Sequence, residues 1–183
     1  MRALARLFAA LTLLVLIGAS WLMLAPRPDI APPDRPPPQP SVLTGPVDRI
    51  LIEKSARRLT VFRDQIPLRT YRVALGFSPD GDKARQGDGR TPEGVFRIDR
   101  RNDASAYHLS LGIDYPRPQD RARAAAQRVD PGGDIFIHGQ PNQRPDGDIL
   151  AGDWTAGCIA LTDAEIRELF AATALGTRVE IRP

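Results

Sequence analysis

Asp134-Ile135-Phe136-Ile137-His138-Gly139, a polar run over residues 140–153, and then Trp154-Thr155-Ala156-Gly157-Cys158-Ile159-Ala160-Leu161-Thr162-Asp163-Ala164-Glu165 form the most informative part of this chain. The brief apolar run before His138 has the length of a strand and leaves the histidine at its end, where side chains commonly face a site and not a core. Thr162 with Glu165 three residues on is a capping box, and Leu161 is spaced from Ile166 as a hydrophobic staple. A helix is therefore expected after Cys158, with Ile166, Leu169 and Phe170 buried. Gly176 is expected to stop it ahead of a closing strand over residues 178–181.

Cys158 is the only cysteine. In an oxidising compartment it has no partner within the chain and stays a thiol. Two readings stand for it: a small buried hydrophobe, or a nucleophile. It follows the small residues Thr155-Ala156-Gly157 and precedes the helix, where free amides would stabilise a thiolate and hold an oxyanion. A thiolate nucleophile also needs a partner for its proton, and histidine suits near-neutral pH. The chain has two. His138 is followed by Gly139, which permits close approach of backbone or substrate. His108 alternates within Tyr107-His108-Leu109-Ser110-Leu111 and reads as a half-buried structural residue. A metal site from His108, His138 and Cys158 lacks paired-ligand spacing.

Outward from this centre, residues 47–54, 58–62 and 66–76 read as strands, with a hairpin at 54–57 and an exposed loop over 78–89. Further strands are expected at 95–98 and 108–113, and the alanine-rich segment 120–128 reads as a helix that ends before Pro131-Gly132-Gly133. The class is mainly β with a few helices (α+β), in one domain from Val47 to Pro183. Nine of the 18 prolines fall in residues 25–46, a semi-rigid spacer that cannot build a core. Before it, Arg2 and Arg6 precede an uncharged apolar run over residues 7–24, so residues 1–24 read as a signal anchor or signal peptide directing the rest outward. With 25 basic against 22 acidic residues, the +3 charge is no nucleic-acid footprint.

His138-Gly139, a spacer and Thr155-Ala156-Gly157-Cys158, together with Thr91-Pro92-Glu93-Gly94-Val95-Phe96, resemble the L,D-transpeptidase catalytic-domain family over residues 47–183. The resemblance implies a β-sandwich-like fold of two mixed sheets, no cofactor and no metal. It implies Cys158 as nucleophile and His138 as base, side by side in a cleft, with the amides of Gly157 and Cys158 at the oxyanion and the Gly139 carbonyl fixing the imidazole tautomer. Thr155 would line the site or stabilise its loop. Two positions depart from the family's pattern, which has His before the motif glycine and Arg or Asn two residues after the cysteine; here they are Ala156 and Ala160. The implied substrates are peptidoglycan stem peptides, with a stem amine, an outer-membrane lipoprotein lysine, a free D-amino acid or water resolving a thioester. The implied location is the periplasm or cell envelope, at the inner membrane through residues 7–24. A hydrolase using the same residues, and a non-catalytic wall-binding module, are the competing readings. Trp154 would stack on sugar, shield the thiolate or anchor packing, and Arg85, Arg90 and Arg144 have the fork geometry for stem carboxylates.

Overall fold

Alternating apolar side chains make the first hairpin. In β1 (Val47–Glu53) Ile50 and Ile52 are buried, and in β2 (Arg58–Arg63) Leu59 and Val61 are, so the pair shares one apolar face. They run antiparallel with Ile50 opposite Val61 and Ile52 opposite Leu59, and β3 (Ile66–Arg72) pairs antiparallel with β2. These elements are seen in a computed structural model that describes residues 43–145 and 147–183. The expected anchor over residues 7–24, and the spacer up to residue 42, lie outside the described residues. No helix among the described residues is long and apolar enough to cross a membrane.

β4 (Gly94–Ser105) is the hinge of the architecture. Its first residues pair with β8 (Thr173–Arg182), which runs parallel to β1, and its later ones pair with β5 (His108–Ile113). β5 continues to β6 (Phe136–His138), and β6 to β7 (Ile159–Ala160) in parallel. The two mixed ladders expected from the family are therefore joined through β4 into one curled eight-stranded sheet, in the order β3-β2-β1-β8-β4-β5-β6-β7. Its ends meet: Ala74, just past β3, exchanges backbone hydrogen bonds of 3.0 and 2.8 Å with Ala160 in β7, and Gly76 bridges to Thr155. Closure spares both edges from open exposure. Phe96, Ile98, Leu111, Ile113, Val179 and Ile181 fill the interior with the hairpin's face.

Several local expectations shift. α1 (Pro118–Ala126) begins two residues earlier than the alanine run implies, because Pro118 suits the first helical turn and the Asp120 carboxylate accepts from the Arg117 amide at 3.0 Å. The strand expected at 95–98 runs on to Ser105, since its outer half is held by β5. α2 (Asp163–Ala172) packs on β5 and β6 and starts where the capping box dictates: Thr162 Oγ1 accepts from the Glu165 amide, and Glu165 Oε2 accepts from the Thr162 amide. The helix N-terminus thus lies beyond β7 and not directly after Cys158, so its dipole does not reach the thiol as the sequence led one to expect. β8 starts at Thr173 with no intervening loop and passes through Gly176, which is no helix stop.

The loop expected at 78–89 is tied down from below. The buried Lys54 ammonium, at the end of β1, donates to Gly81 O at 2.6 Å, Thr91 O at 3.0 Å and Glu93 Oε1 at 2.8 Å, so a buried charge is fully satisfied. Removing the α2 cap with Thr162→Ala is expected to lower unfolding stability by about 1 kcal/mol, measured by urea denaturation, without loss of the fold. A change below a few tenths would mean that packing alone sets the helix start.

Candidate active site

Strand register brings Cys158 and His138 to one cavity. Ile137 opposes Ile159 and His138 opposes Ala160 in the parallel β6–β7 pair, and both isoleucines are fully buried. Since successive side chains alternate faces, the neighbours of these isoleucines, Phe136 and His138 on β6 and Cys158 just before β7, point away from the core. Ser110, opposite His138 on β5, joins them. All four line a cavity of about 450 Å³ with Asn102, Tyr107 and Trp154 in its wall.

Within it, Cys158 Sγ sits between two backbone groups, accepting from the Phe136 amide at 3.4 Å and donating to Asp134 O at 3.5 Å. His138 is almost wholly buried, and its Nδ1 lies 2.7 Å from Gly139 O. A carbonyl can only accept, so Nδ1 carries the proton and Nε2 keeps its lone pair. The Tyr107 ring packs on the imidazole with centroids 4.6 Å apart, and Trp154 meets it edge-on at 5.8 Å. No hydrogen bond joins Sγ to the imidazole in this arrangement, although both face the same space.

The loop before Cys158 is braced by Thr155. Its hydroxyl donates to Cys158 O at 2.7 Å and accepts from the Gly157 amide at 3.1 Å. This engages one of the two amides expected at an oxyanion, whereas the Cys158 amide has no acceptor among the described residues. Gly157 is demanded by space instead: φ is 141°, and a Cβ there would stand 2.7 Å from Arg90 O. Gly139 is likewise a packing requirement, because a Cβ would meet Asp163 Oδ1 at 2.5 Å and Ile166 Cγ2 at 3.0 Å. It faces α2 and not a substrate.

Other expected residues fall elsewhere. His108 opens β5 with φ 64°, and its Nε2 lies 3.2 Å from Arg167, outside the cavity. Arg85, Arg90 and Arg144 do not line the cavity, and Arg144 is paired with Asp148 at 2.6 Å. Ala156 lines it, but Ala160 sits in the sheet closure and borders a separate space of about 570 Å³ beneath residues 149–153. Tyr107, Ser110, Asn102 and Asp134 were not singled out in the sequence. They come from three different segments, and only strand pairing converges them; the one local signal is the i, i+2 alternation that sets Ser110 opposite His138.

Burial dominates the electrostatics. It pushes the Cys158 thiol up, opposed by the Phe136 hydrogen bond, and it pushes the His138 imidazole down, opposed by the Gly139 carbonyl. Both shifts oppose the stabilised thiolate expected from the sequence and favour the neutral form of each group. Iodoacetamide alkylation of Cys158, followed by mass spectrometry across pH, is expected to rise only with an inflection above that of an ordinary thiol. An inflection below neutrality would instead reveal a preformed thiolate–imidazolium pair.

A curled mixed sheet thus presents a cysteine and a tautomer-fixed histidine to one cavity, and the domain that carries them is similar to known proteins. Residues 47–181 match the family model for the L,D-transpeptidase catalytic domain (YkuD), and the chain belongs to that family. It is similar to "Putative L,D-transpeptidase YafK" of Escherichia coli (strain K12), 29% identical over 105 residues, which are 56% of this chain and 36% of that protein. Its fold resembles the helical cell shape determining protein Pgp2 from Campylobacter jejuni, with TM-score 0.59 and 27% identity over 74% of this chain and 47% of that one. Bdellovibrio bacteriovorus Bd1075 has the same fold, with TM-score 0.53 and 21% identity over 75% of this chain and 48% of that one. This chain thus spans about half the length of these solved relatives or less.

Proposed function

We propose that this chain is a peptidoglycan L,D-transpeptidase of the cell envelope that acts through a thioester on Cys158. The observation that carries the reading is the shared cavity: Cys158 lines it together with a histidine whose Nδ1 is tied to Gly139 O, leaving Nε2 as the basic nitrogen. Membership of the family supports the reaction class. The apolar segment over residues 7–24 and the proline-rich spacer support a location outside the cytoplasm, with the domain held at the inner membrane.

Rotation of Cys158 about χ1 exchanges the Asp134 carbonyl for Nε2 of His138, which takes the thiol proton as the sulfur attacks. The electrophile is the carbonyl between the third and fourth residues of a tetrapeptide stem. Its oxygen gains negative charge, and the Cys158 amide is the donor available to it. The tetrahedral adduct collapses, the C–N bond breaks, and the imidazolium protonates the departing amine of the terminal D-alanine. A thioester remains. An acceptor amine, from a second stem, a lipoprotein lysine or a free D-amino acid, then adds to the thioester and gives its proton to Nε2. The thiol leaves and recovers that proton. One amide is exchanged for another, so no nucleotide is needed. Tyr107 and Trp154 enclose the imidazole and limit access of water. Pgp2 is described as a cell shape determining protein, and remodelled cross-links would give this chain a comparable effect on the wall.

Full-length protein incubated with a disaccharide-tetrapeptide is expected to acquire a mass equal to the stem less its D-alanine. Cys158→Ala should abolish the adduct, and His138→Gln should slow its formation on the order of 100-fold or more. New cross-linked or amine-modified stems support transfer. Stems that are only shortened would reassign the second step to water, and a wild-type protein that never forms the adduct leaves a non-catalytic wall-binding module.

A further inference from the structure

One buried ion pair takes no part in acyl transfer. The side chains of Lys83 and Asp88 are only 3% and 9% exposed, and Lys83 Nζ lies 2.7 Å from Asp88 Oδ1. The ammonium also donates to Arg85 O at 3.2 Å. The carboxylate is fully engaged: Oδ2 accepts from the Ala84 and Arg85 amides at 2.8 and 3.0 Å, and Oδ1 accepts from the Arg90 amide at 3.1 Å as well as from Lys83. Burial alone would push the Asp88 carboxyl up, but Lys83 and the three amides outweigh it and hold the group down at about 2. A buried pair adds little to stability, because the desolvation of both charges offsets their attraction. What this one supplies is geometry, since its hydrogen bonds fix the chain from residue 83 to residue 90.

That segment ends against the loop of Cys158. The Arg90 carbonyl fills the space beneath Gly157, 2.7 Å from where a Cβ would stand. A Cβ on Gly76 would collide with Gly89 O and stand 3.1 Å from Gly157 Cα. The backbones at 76, 89–90 and 157 are therefore stacked with no side chain between them, and close packing of this kind passes on a displacement instead of absorbing it. Arg90 is gripped from two sides, its amide by Asp88 and its carbonyl by Gly157. Lys83 also acts through charge. Burial raises the Cys158 thiol most, the Phe136 amide lowers it, the Asp134 carboxylate raises it, and the Lys83 ammonium is the one cation that lowers it. His138 faces the same cavity and is itself pushed toward neutrality. Around Lys83 stand Asp88 and, from α1, Arg123, which donates to Lys83 O at 2.9 Å and pairs with Asp82.

We propose that Lys83 and Asp88 are positioning residues for Cys158: the pair holds Arg90 as the floor on which Gly157 rests, and so fixes how the thiol and the Cys158 amide meet the cavity. Neither side chain lines that cavity, so neither touches a substrate. The inference rests on the transpeptidase reading only for the reaction that the loop serves.

The test uses the full chain with Lys83→Met, Lys83→Arg and Asp88→Asn, and with Thr162→Ala as a control that destabilises the domain away from this loop. Two readouts are followed. One is the pH profile of Cys158 alkylation by iodoacetamide, which needs no peptidoglycan; the other is acyl-enzyme formation with a disaccharide-tetrapeptide at varied concentration. Lys83→Met should move the alkylation inflection upward, because a cation that favours the thiolate is lost, and Lys83→Arg should return it toward wild type. Lys83→Met and Asp88→Asn should each lower the maximal acylation rate constant about tenfold, with the half-saturating stem concentration within about twofold of wild type. Thr162→Ala should leave both readouts unchanged. An unmoved inflection in Lys83→Met, a loss of rate matched by Thr162→Ala, or a change confined to half-saturation overturns the proposal. Should the variants fail to fold, amide hydrogen exchange on wild type decides. Asp88 stays ionised well below an ordinary carboxyl, so the Arg90 amide should remain protected at about pH 4, and free exchange there overturns the proposal. If stems give no adduct on wild type while the Lys83→Met shift and its rescue by Lys83→Arg appear, the positioning role stands and the transpeptidase reading falls.

Discussion

Two isoleucines lying side by side in the parallel β6–β7 pair hold the rest of the site in place. Ile137 and Ile159 are wholly removed from solvent, and each is worth about 2–5 kcal/mol against truncation. Their register determines the faces of everything next to them. A slip of one residue would turn Ile159 out to the cavity and Cys158 into the core, so packing energy, and not any affinity between sulfur and imidazole, keeps the thiol facing His138. The site then inherits its precision from the curled sheet, whose ends are sealed by the Ala74–Ala160 hydrogen bonds two residues from Cys158 in sequence.

The cavity that results favours neutral groups. Burial favours the uncharged imidazole, and the thiol is held by a backbone amide and a backbone carbonyl in place of a cation. Both surroundings favour the uncharged form of each group at rest. For a single unpaired cysteine this also limits reaction with oxidants, because the thiolate is the reactive form.

Loop 155–157 links these features. Thr155 spends its hydroxyl on the loop, and the space under Gly157 is occupied by the Arg90 carbonyl of the segment leading into Thr91 and Phe96. The two motifs that looked like separate signatures in the chain are thus one packed unit. Lys54 anchors the same segment from the far side by bonding Thr91 and Glu93.

Read alone, the chain marked the strands and the helix capped by Thr162, and it singled out Cys158 and His138, which the structure brings to one cavity, because hydrophobic alternation, capping boxes and side-chain chemistry are local properties written in neighbouring residues. It did not show that the short strand β7 separates Cys158 from the helix N-terminus, nor that burial, a property of the whole fold, pushes the thiol up and the imidazole down. It was silent on Tyr107, Ser110 and Asp134, which stand on different elements. Faces and charges such as these are set by strand register and by curling of the sheet, long-range constraints that no window of sequence contains.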